Sequence, residues 1–157
     1  MPRKYQSTER FLIGDPRYHS KLVGRFVNCL MHDGKKTTAF HVFYDCMDLL
    51  KKKVPDVEPL EVFTQALQNV KPMVEVRSKR VGGATLQVPH EVRRERQQSL
   101  AIRWVLDTVR KKKGKPVARR LAEELFDAYN KQGAAYTMRE NTHKMAEANK
   151  AFAHFAW

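Results

Sequence analysis

Through most of the chain, apolar residues recur at helical spacing. Leu22, Val23, Phe26, Val27 and Leu30 form one face after Ser20, a residue suited to an N-cap, and Asp33-Gly34 is expected to end that helix. A second stripe carries Ala39, Val42, Phe43, Cys46, Met47 and Leu50 and stops at Lys51-Lys52-Lys53-Val54-Pro55. Glu58-Pro59 opens a third, with Leu60, Phe63, Ala66, Leu67 and Val70 inward, because proline suits a first helical turn. It closes at Lys71-Pro72. A fourth helix places Leu100, Ala101, Trp104, Val105, Thr108 and Val109 on one side, and its final Arg110-Lys111-Lys112-Lys113-Gly114 complements the helix dipole. The fifth begins near Pro116, packs Val117, Leu121, Ala122, Leu125 and Ala128, and ends at Gly133, with Glu123-Glu124 read as solvated surface. The sixth runs from about Ala134 and carries Met138, Met145, Phe152 and Phe155.

Between the third and fourth helices the period changes to two. Val74, Val76, Val81, Thr85, Leu86 and Val88 are strand formers, and Gly82-Gly83 supplies the positive φ of a tight hairpin. Pro72 and Pro89 are expected to bracket this ribbon. A two-residue turn would set Arg80 against Thr85, Lys79 against Leu86 and Arg77 against Val88. One face would then carry Val74, Val76, Ser78, Arg80, Thr85 and Gln87. The other would carry Glu75, Arg77, Lys79, Val81, Ala84, Leu86 and Val88. Neither face is dry enough for a core, and a lone two-stranded ribbon is marginal in water, so the ribbon is expected to reach a partner. The expected fold is mainly α: a six-helix single domain with a protruding two-stranded β-hairpin between helices 3 and 4. Residues 20–157 would form this domain, with the ribbon arm at about 73–89, after a basic N-terminal extension at 1–19.

Charge indicates what the arm would reach. The 157 residues include 30 Lys+Arg against 17 Asp+Glu, a net charge of +13. So basic a domain repels itself, and a polyanion relieves the repulsion. Membrane is the weaker choice, since no run of about 18 apolar residues and no lipidation signal occurs. Met1 to Arg10 lacks the apolar core of a secretory signal. Arg3, Lys4, Ser7, Thr8 and Arg10 give only a faint organellar-targeting pattern, which Glu9 opposes. A cytoplasmic, nucleic-acid-binding protein is expected.

Catalytic patterns fail on inspection. Asp33-Gly34-Lys35-Lys36-Thr37-Thr38 ends like a phosphate-binding loop, but Cys29 replaces its first glycine, Lys36 its Ser or Thr, and no strand precedes it. Two lysines at a helix start still suit an anion. Cys29, His32, His41 and Cys46 have zinc-ligand chemistry, yet both cysteines fall in apolar helical stripes, where reduced buried thiols are expected. His143 and Glu147 lie one helical turn apart without a third ligand, the ordinary arrangement of an exposed pair. No catalytic residue, metal or cofactor is predicted.

Three segments carry a family resemblance. Asp33-Gly34-Lys35-Lys36, Val74-Glu75-Val76-Arg77-Ser78-Lys79-Arg80-Val81-Gly82-Gly83-Ala84-Thr85 and Met145-Ala146-Glu147-Ala148-Asn149-Lys150-Ala151-Phe152-Ala153-His154 resemble the bacterial form of the small-subunit ribosomal protein seven family. Order, spacing and termini match over essentially the whole chain. The resemblance implies six helices with the hairpin after the third. It also implies a structural ribosomal protein that binds the 3′ major (head) domain of small-subunit ribosomal RNA and nucleates head assembly. Its neighbours would be other head and platform proteins, with exit-site tRNA and the mRNA path nearby, on a cytoplasmic or organellar ribosome. Leu86 stands where the family usually has a tyrosine, Arg94 where proline commonly opens the fourth helix, and Ala156 where an arginine is usual.

The cations expected on ribosomal RNA are Arg3, Lys4, Arg10, Lys35, Lys36, Arg77, Lys79, Arg80, Arg93, Arg94, Arg96, Lys111, Lys112, Lys113 and Lys115, all in the tail, the ribbon or helix ends. Val81, Gly82, Gly83, Ala84 and Thr85, at the ribbon tip, are expected near tRNA and mRNA. Phe155 and Trp157 suit capping the core, stacking on a base or meeting a neighbouring protein. The alternative from another class is an architectural DNA-binding protein with a basic β-arm, which would prefer an apolar wedge at the arm's tip.

Overall fold

The computed structural model describes residues 12–156. The order is α1 (Lys21–Leu30), α2 (Lys36–Lys53), α3 (Pro59–Val70), β1 (Val74–Val81), β2 (Ala84–Glu91), α4 (Arg94–Lys111), α5 (Val117–Tyr129) and α6 (Ala134–Ala148), then a 3₁₀ helix (Lys150–Phe155). Six α-helices with a hairpin after the third are what the periodicity predicts.

An aromatic triad joins the first three helices. Phe26, Phe43 and Phe63 are fully buried, and Phe63 meets Phe26 and Phe43 edge-on with centroids 5.1 and 5.3 Å apart. Edge-to-face pairs of this kind add to the free energy of burial itself. Leu121 and Leu125 of α5 are also fully buried, and α5 packs against both α2 and α3.

Residues 12–19 lie against this body. Asp15 is fully buried; its carboxylate accepts hydrogen bonds from Ser20 N–H at 3.0 Å, Tyr18 N–H at 2.9 Å and the Tyr44 hydroxyl at 3.1 Å. Ser20 is the N-cap residue of α1, but its side chain makes no capping bond. Gly24 allows the approach, since a Cβ there would come within 2.5 Å of the Ile13 carbonyl oxygen.

The ribbon has the expected register. Arg80 pairs with Thr85, Lys79 with Leu86 and Arg77 with Val88, and both turn glycines have positive φ (55° and 91°). A two-residue turn of two left-handed residues matches strand twist, and this fixes the pairing. The strand continues further than expected. Pro89 lies inside β2 opposite Val76 rather than at its boundary, a position that an edge strand tolerates.

Burial along the ribbon is graded. Glu75 and Val88 at its root are buried, whereas Gly82, Gly83, Ala84 and Thr85 at its tip are exposed. The root is covered because α6 stops at Ala148 instead of continuing through Phe155. The 3₁₀ helix turns back onto β2, and Lys79 Nζ donates to the Phe155 carbonyl at 2.9 Å.

Four expectations need correction. α1 ends at Leu30, where Met31 already has extended ψ (140°), three residues before Asp33-Gly34. Cys46 is fully buried, and burial pushes its thiol pKa up, but Cys29 is exposed at the edge of the buried stripe of α1. Val117 is 36% exposed at the start of α5 rather than in the core. Glu124 is fully buried; only Glu123 lies at the surface, paired with Lys115 at 2.7 Å.

The reason for the last lies in helical phase: Leu121, Glu124, Leu125 and Ala128 share one face of α5. Glu124 Oε2 accepts from Lys112 Nζ at 2.7 Å, and Oε1 accepts the Ala135 N–H at 2.8 Å. One carboxylate thereby ties the end of α4 to the start of α6. Gly133 has φ 90°, and a Cβ there would stand 3.2 Å from Glu124 Oε1 and 2.9 Å from Asp127 Cβ.

Adjacent substitutions separate the two glutamates. Glu124→Ala should cost about 1–3 kcal/mol, because it leaves the buried Ala135 N–H unpaired. Glu123→Ala, which breaks only a surface pair, should stay within about 0.5 kcal/mol of the parent. Urea unfolding measures both, and equal losses would contradict the assignment.

Candidate nucleic-acid interface

The expected cations divide by what already holds them. Glu75 is buried in a cationic neighbourhood and takes two of them. Arg77 Nη2 lies 2.6 Å from its Oε1, and Arg96 Nε 2.8 Å from its Oε2. Burial on its own would raise the Glu75 carboxyl, but the hydrogen bonds and charges of Arg96 and Arg77 outweigh it and hold the group below its ordinary value. Both guanidiniums stay about half exposed, at 47% and 50%, so each keeps donors for a second anion. Lys112 and Lys115 are likewise paired, with Glu124 and Glu123. Lys79 is bound to the 3₁₀ helix.

Other expected cations are turned outward. Arg80 is exposed, on the ribbon face opposite Glu75. Arg93 is the N-cap residue of α4, with Arg94 beginning the helix, and both are exposed. Lys111 and Lys113 are exposed at that helix's other end. Lys35 and Lys36 are exposed at the start of α2, whose first turn contains no acidic residue, and Lys36 Nζ stands 5.7 Å from the Phe40 ring centroid. Arg3, Lys4 and Arg10 lie outside the described residues, as does Trp157.

α4 is 18 residues long, about 27 Å at ~1.5 Å per residue, so its two ends present separate cationic groups. Between them the structure supplies cations that the expected set omitted. A polar cleft lined by Arg25, Gln68, Lys71, Arg94, Glu95, Gln97 and Gln98 opens beside the ribbon root, with three cations to one carboxylate. A second, lined by Arg25, Ser99, Arg103, Asp107 and Arg110, follows the groove between α1 and α4. A third holds Lys35, Thr38 and Arg110. Arg25 belongs to the first two clefts and Arg110 to the last two, so the three are contiguous. The result is a strip from the ribbon to the start of α2. Arg110 Nη2 is fixed by the Cys29 carbonyl at 3.0 Å.

Arg25, Arg103 and Arg110 fall outside an expected set built on helix ends and the ribbon. For the α4 arginines the signal is periodic: Arg96, Arg103 and Arg110 stand seven apart, which keeps them on one side of the helix, whereas Arg25 on α1 has no such pattern. His143, one of the candidate ligands, has a structural partner instead. Its Nε2 accepts the Met73 N–H at 3.1 Å at the ribbon root, and burial followed by the nearby Arg139 charge lowers its pKa. Among the described residues no three His, Cys, Asp or Glu side chains come together as a metal site. No described helix is long and apolar enough to cross a membrane.

A family described as ribosomal protein S7p/S5e matches residues 2–150. The chain belongs to that family. It is similar to small ribosomal subunit protein uS7 of Rhodopirellula baltica, 62% identical over 152 residues, covering 96% of this chain and 97% of that one. With the uS7 protein of Nitratiruptor sp. it shares 53% identity over 155 residues, 99% of both chains. With that of Desulfotalea psychrophila it shares 50% over 157 residues and the full length of both. Membership makes it a structural protein of the small ribosomal subunit rather than an enzyme. The cationic strip and the ribbon are therefore features of a ribosomal protein.

Glu75 gives this surface a pH signature. A carboxyl held below its ordinary 4.5 contributes stability that is fully present above that pH and is lost as pH falls through the lower folded value. The parent should therefore lose stability below about pH 4.5 more steeply than Glu75→Gln, which cannot titrate there. Unfolding curves of the two proteins at neutral and acid pH make the comparison, and parallel losses would remove the role assigned to Glu75.

Proposed function

We propose that the chain binds the 3′ major (head) domain of small-subunit ribosomal RNA and nucleates assembly of the head. In this reading it sits beside exit-site tRNA and the mRNA path, against other head and platform proteins of a cytoplasmic ribosome. The contiguous strip from Arg94 through Arg25 and Arg103 to Arg110 and Lys35 carries the reading. A surface that is cationic over the length of a helix, and cleft rather than flat, suits a folded RNA read by its backbone and shape. Arginine forks engage phosphates two bonds at a time, and lysines neutralise diffusely.

The N-terminal extension at 1–19 would add Arg3, Lys4 and Arg10. Lys111 and Lys113 would extend the strip beyond α4. Arg77, Arg93, Arg94 and Arg96 would hold RNA at the ribbon root, with Arg80 on the opposite face and Lys79 bridging to the 3₁₀ helix. Lys112 and Lys115 would bind while retaining their glutamate partners. The tip, Val81 to Thr85, would face tRNA and mRNA. A Cβ added at Gly82 or Gly83 meets nothing within 4 Å, so the tip is free to approach another surface. An architectural DNA-binding arm would carry an apolar wedge at this point, and the two glycines argue against it.

Salt dependence tests the strip. Replacing Lys35 and Lys36 together with glutamine should weaken rRNA binding and flatten the slope of log affinity against log salt by roughly one unit or more, since each lost phosphate contact contributes ~0.7–0.9. Arg25→Gln with Arg103→Gln should do the same if the groove between α1 and α4 lies on the RNA. An unaltered slope would remove the pair concerned from the interface.

The ribbon divides differently. Joining Arg80 to Thr85 by a shorter turn deletes nothing that packs on the body, so heads should assemble normally in reconstitution while retention of exit-site tRNA changes. Replacing Arg77 and Arg80 with alanine should instead lower rRNA affinity by about 1–3 kcal/mol. Failure of assembly with the short tip, and normal assembly without both arginines, would reverse these roles.

A further inference from the structure

The third cleft of the strip differs in character from the other two. Val42, Leu106, Val109 and Val117 help line a pocket of about 220 Å³ where the turn after α1 meets the starts of α2 and α5. Its exposed polar positions are His32, Lys35, Thr38 and Arg110, and no carboxylate lines it. Val117, 36% exposed, is a large apolar side chain left unburied at the start of a helix. An apolar pocket inside a cationic rim selects for a group that is itself apolar and flat but carries negative charge at its edge.

Size narrows the choice. Small-molecule sites commonly run to about 300–1,000 Å³, and this pocket falls below that range, so it suits one planar group rather than a whole ligand. A nucleobase joins a ring to flanking phosphates, which Lys35, Lys36 and the start of α2 are placed to receive, with no acid in that helix's first turn. Arg110, which lines the pocket, donates to the Cys29 carbonyl at 3.0 Å and supplies a planar guanidinium of the kind that stacks on bases. An apolar protein side chain would use the walls and leave the cations without a partner.

We propose that this pocket receives one unstacked nucleobase of the bound RNA. The inference rests on the rRNA-binding reading above and deepens it.

A transcript of the head domain of small-subunit ribosomal RNA is the probe. Thr38→Trp closes the mouth from an exposed position, and Val42→Phe fills the pocket from within; thermal unfolding confirms that each is folded, and either suffices. With the pocket blocked, affinity should fall about tenfold, the scale of one lost stacking contact, while the salt slope stays unchanged because no phosphate contact is removed. Chemical probing should show one base protected by the parent and reactive with the variant. Parental affinity and protection in a folded variant would overturn the proposal, leaving the rRNA reading intact if Lys35→Gln with Lys36→Gln still flattens the slope. Parental affinity combined with poorer retention in reconstituted subunits would overturn it in favour of a protein side chain. A parent that does not bind the transcript would sink both readings together.

Discussion

Glu75 holds Arg77 within its own strand and Arg96 in the first turn of α4, so one buried carboxylate fixes where the ribbon leaves the helical body. Two further contacts work at the same root. Val92 N–H donates to the Met73 carbonyl at 2.9 Å, and Met73 N–H donates to His143 of α6. A two-stranded ribbon has too little surface to hold itself in water. Here the root borrows stability from α4, α6 and the 3₁₀ helix, and the tip is carried outward on a base that cannot swing freely. Arg77 and Arg96 are oriented by the same carboxylate, which lowers the side-chain entropy that either would lose on meeting a second anion.

This arrangement also sorts the cations. Where two elements must be tied together, a carboxylate is committed: Glu75 at the ribbon root, Glu124 between α4 and α6. Along the groove between α1 and α4 the acids are sparse, and Arg25, Arg103 and Arg110 outnumber Asp107. A net charge of +13 is therefore not spread evenly. It is neutralised where the fold would otherwise come apart and left in excess where a polyanion can lie.

What the sequence made legible followed from local rules. Gly82-Gly83 determines a two-residue turn, and the turn determines the register of every pair behind it. Pro59, Pro72, Gly114 and Gly133 punctuate the helices close to where they start and stop. The features that escaped depend on rotation about a helix axis or on contacts distant in sequence. Glu124 beside Glu123 reads as a solvated pair until its phase with Leu121, Leu125 and Ala128 is considered. Cys29 is one residue short of Leu30, and that single step of about 100° carries it from the buried stripe to the surface. The end of α6 was illegible for another reason. The alanine-rich run Met145 to Ala156 could continue as a helix, and only docking on β2 makes the tighter 3₁₀ path worthwhile.

Core and cationic groove draw on different residues, and the coupling between them runs one way. Phe26, Phe43 and Phe63, with Leu121 and Leu125 beside them, need no charge and no RNA to pack. Arg103 and Arg110 project from the same α4 whose other side buries Ala101, Val105 and Val109. The helix thus works as a two-sided rod: apolar contacts fix its rotation, and that rotation aims the arginines into the groove with α1. Repacking the buried side would turn the exposed one, so a core substitution in α4 reaches the cationic groove without touching a cation. Substituting Arg25 or Arg103 has no such effect in return, since neither side chain supports the triad.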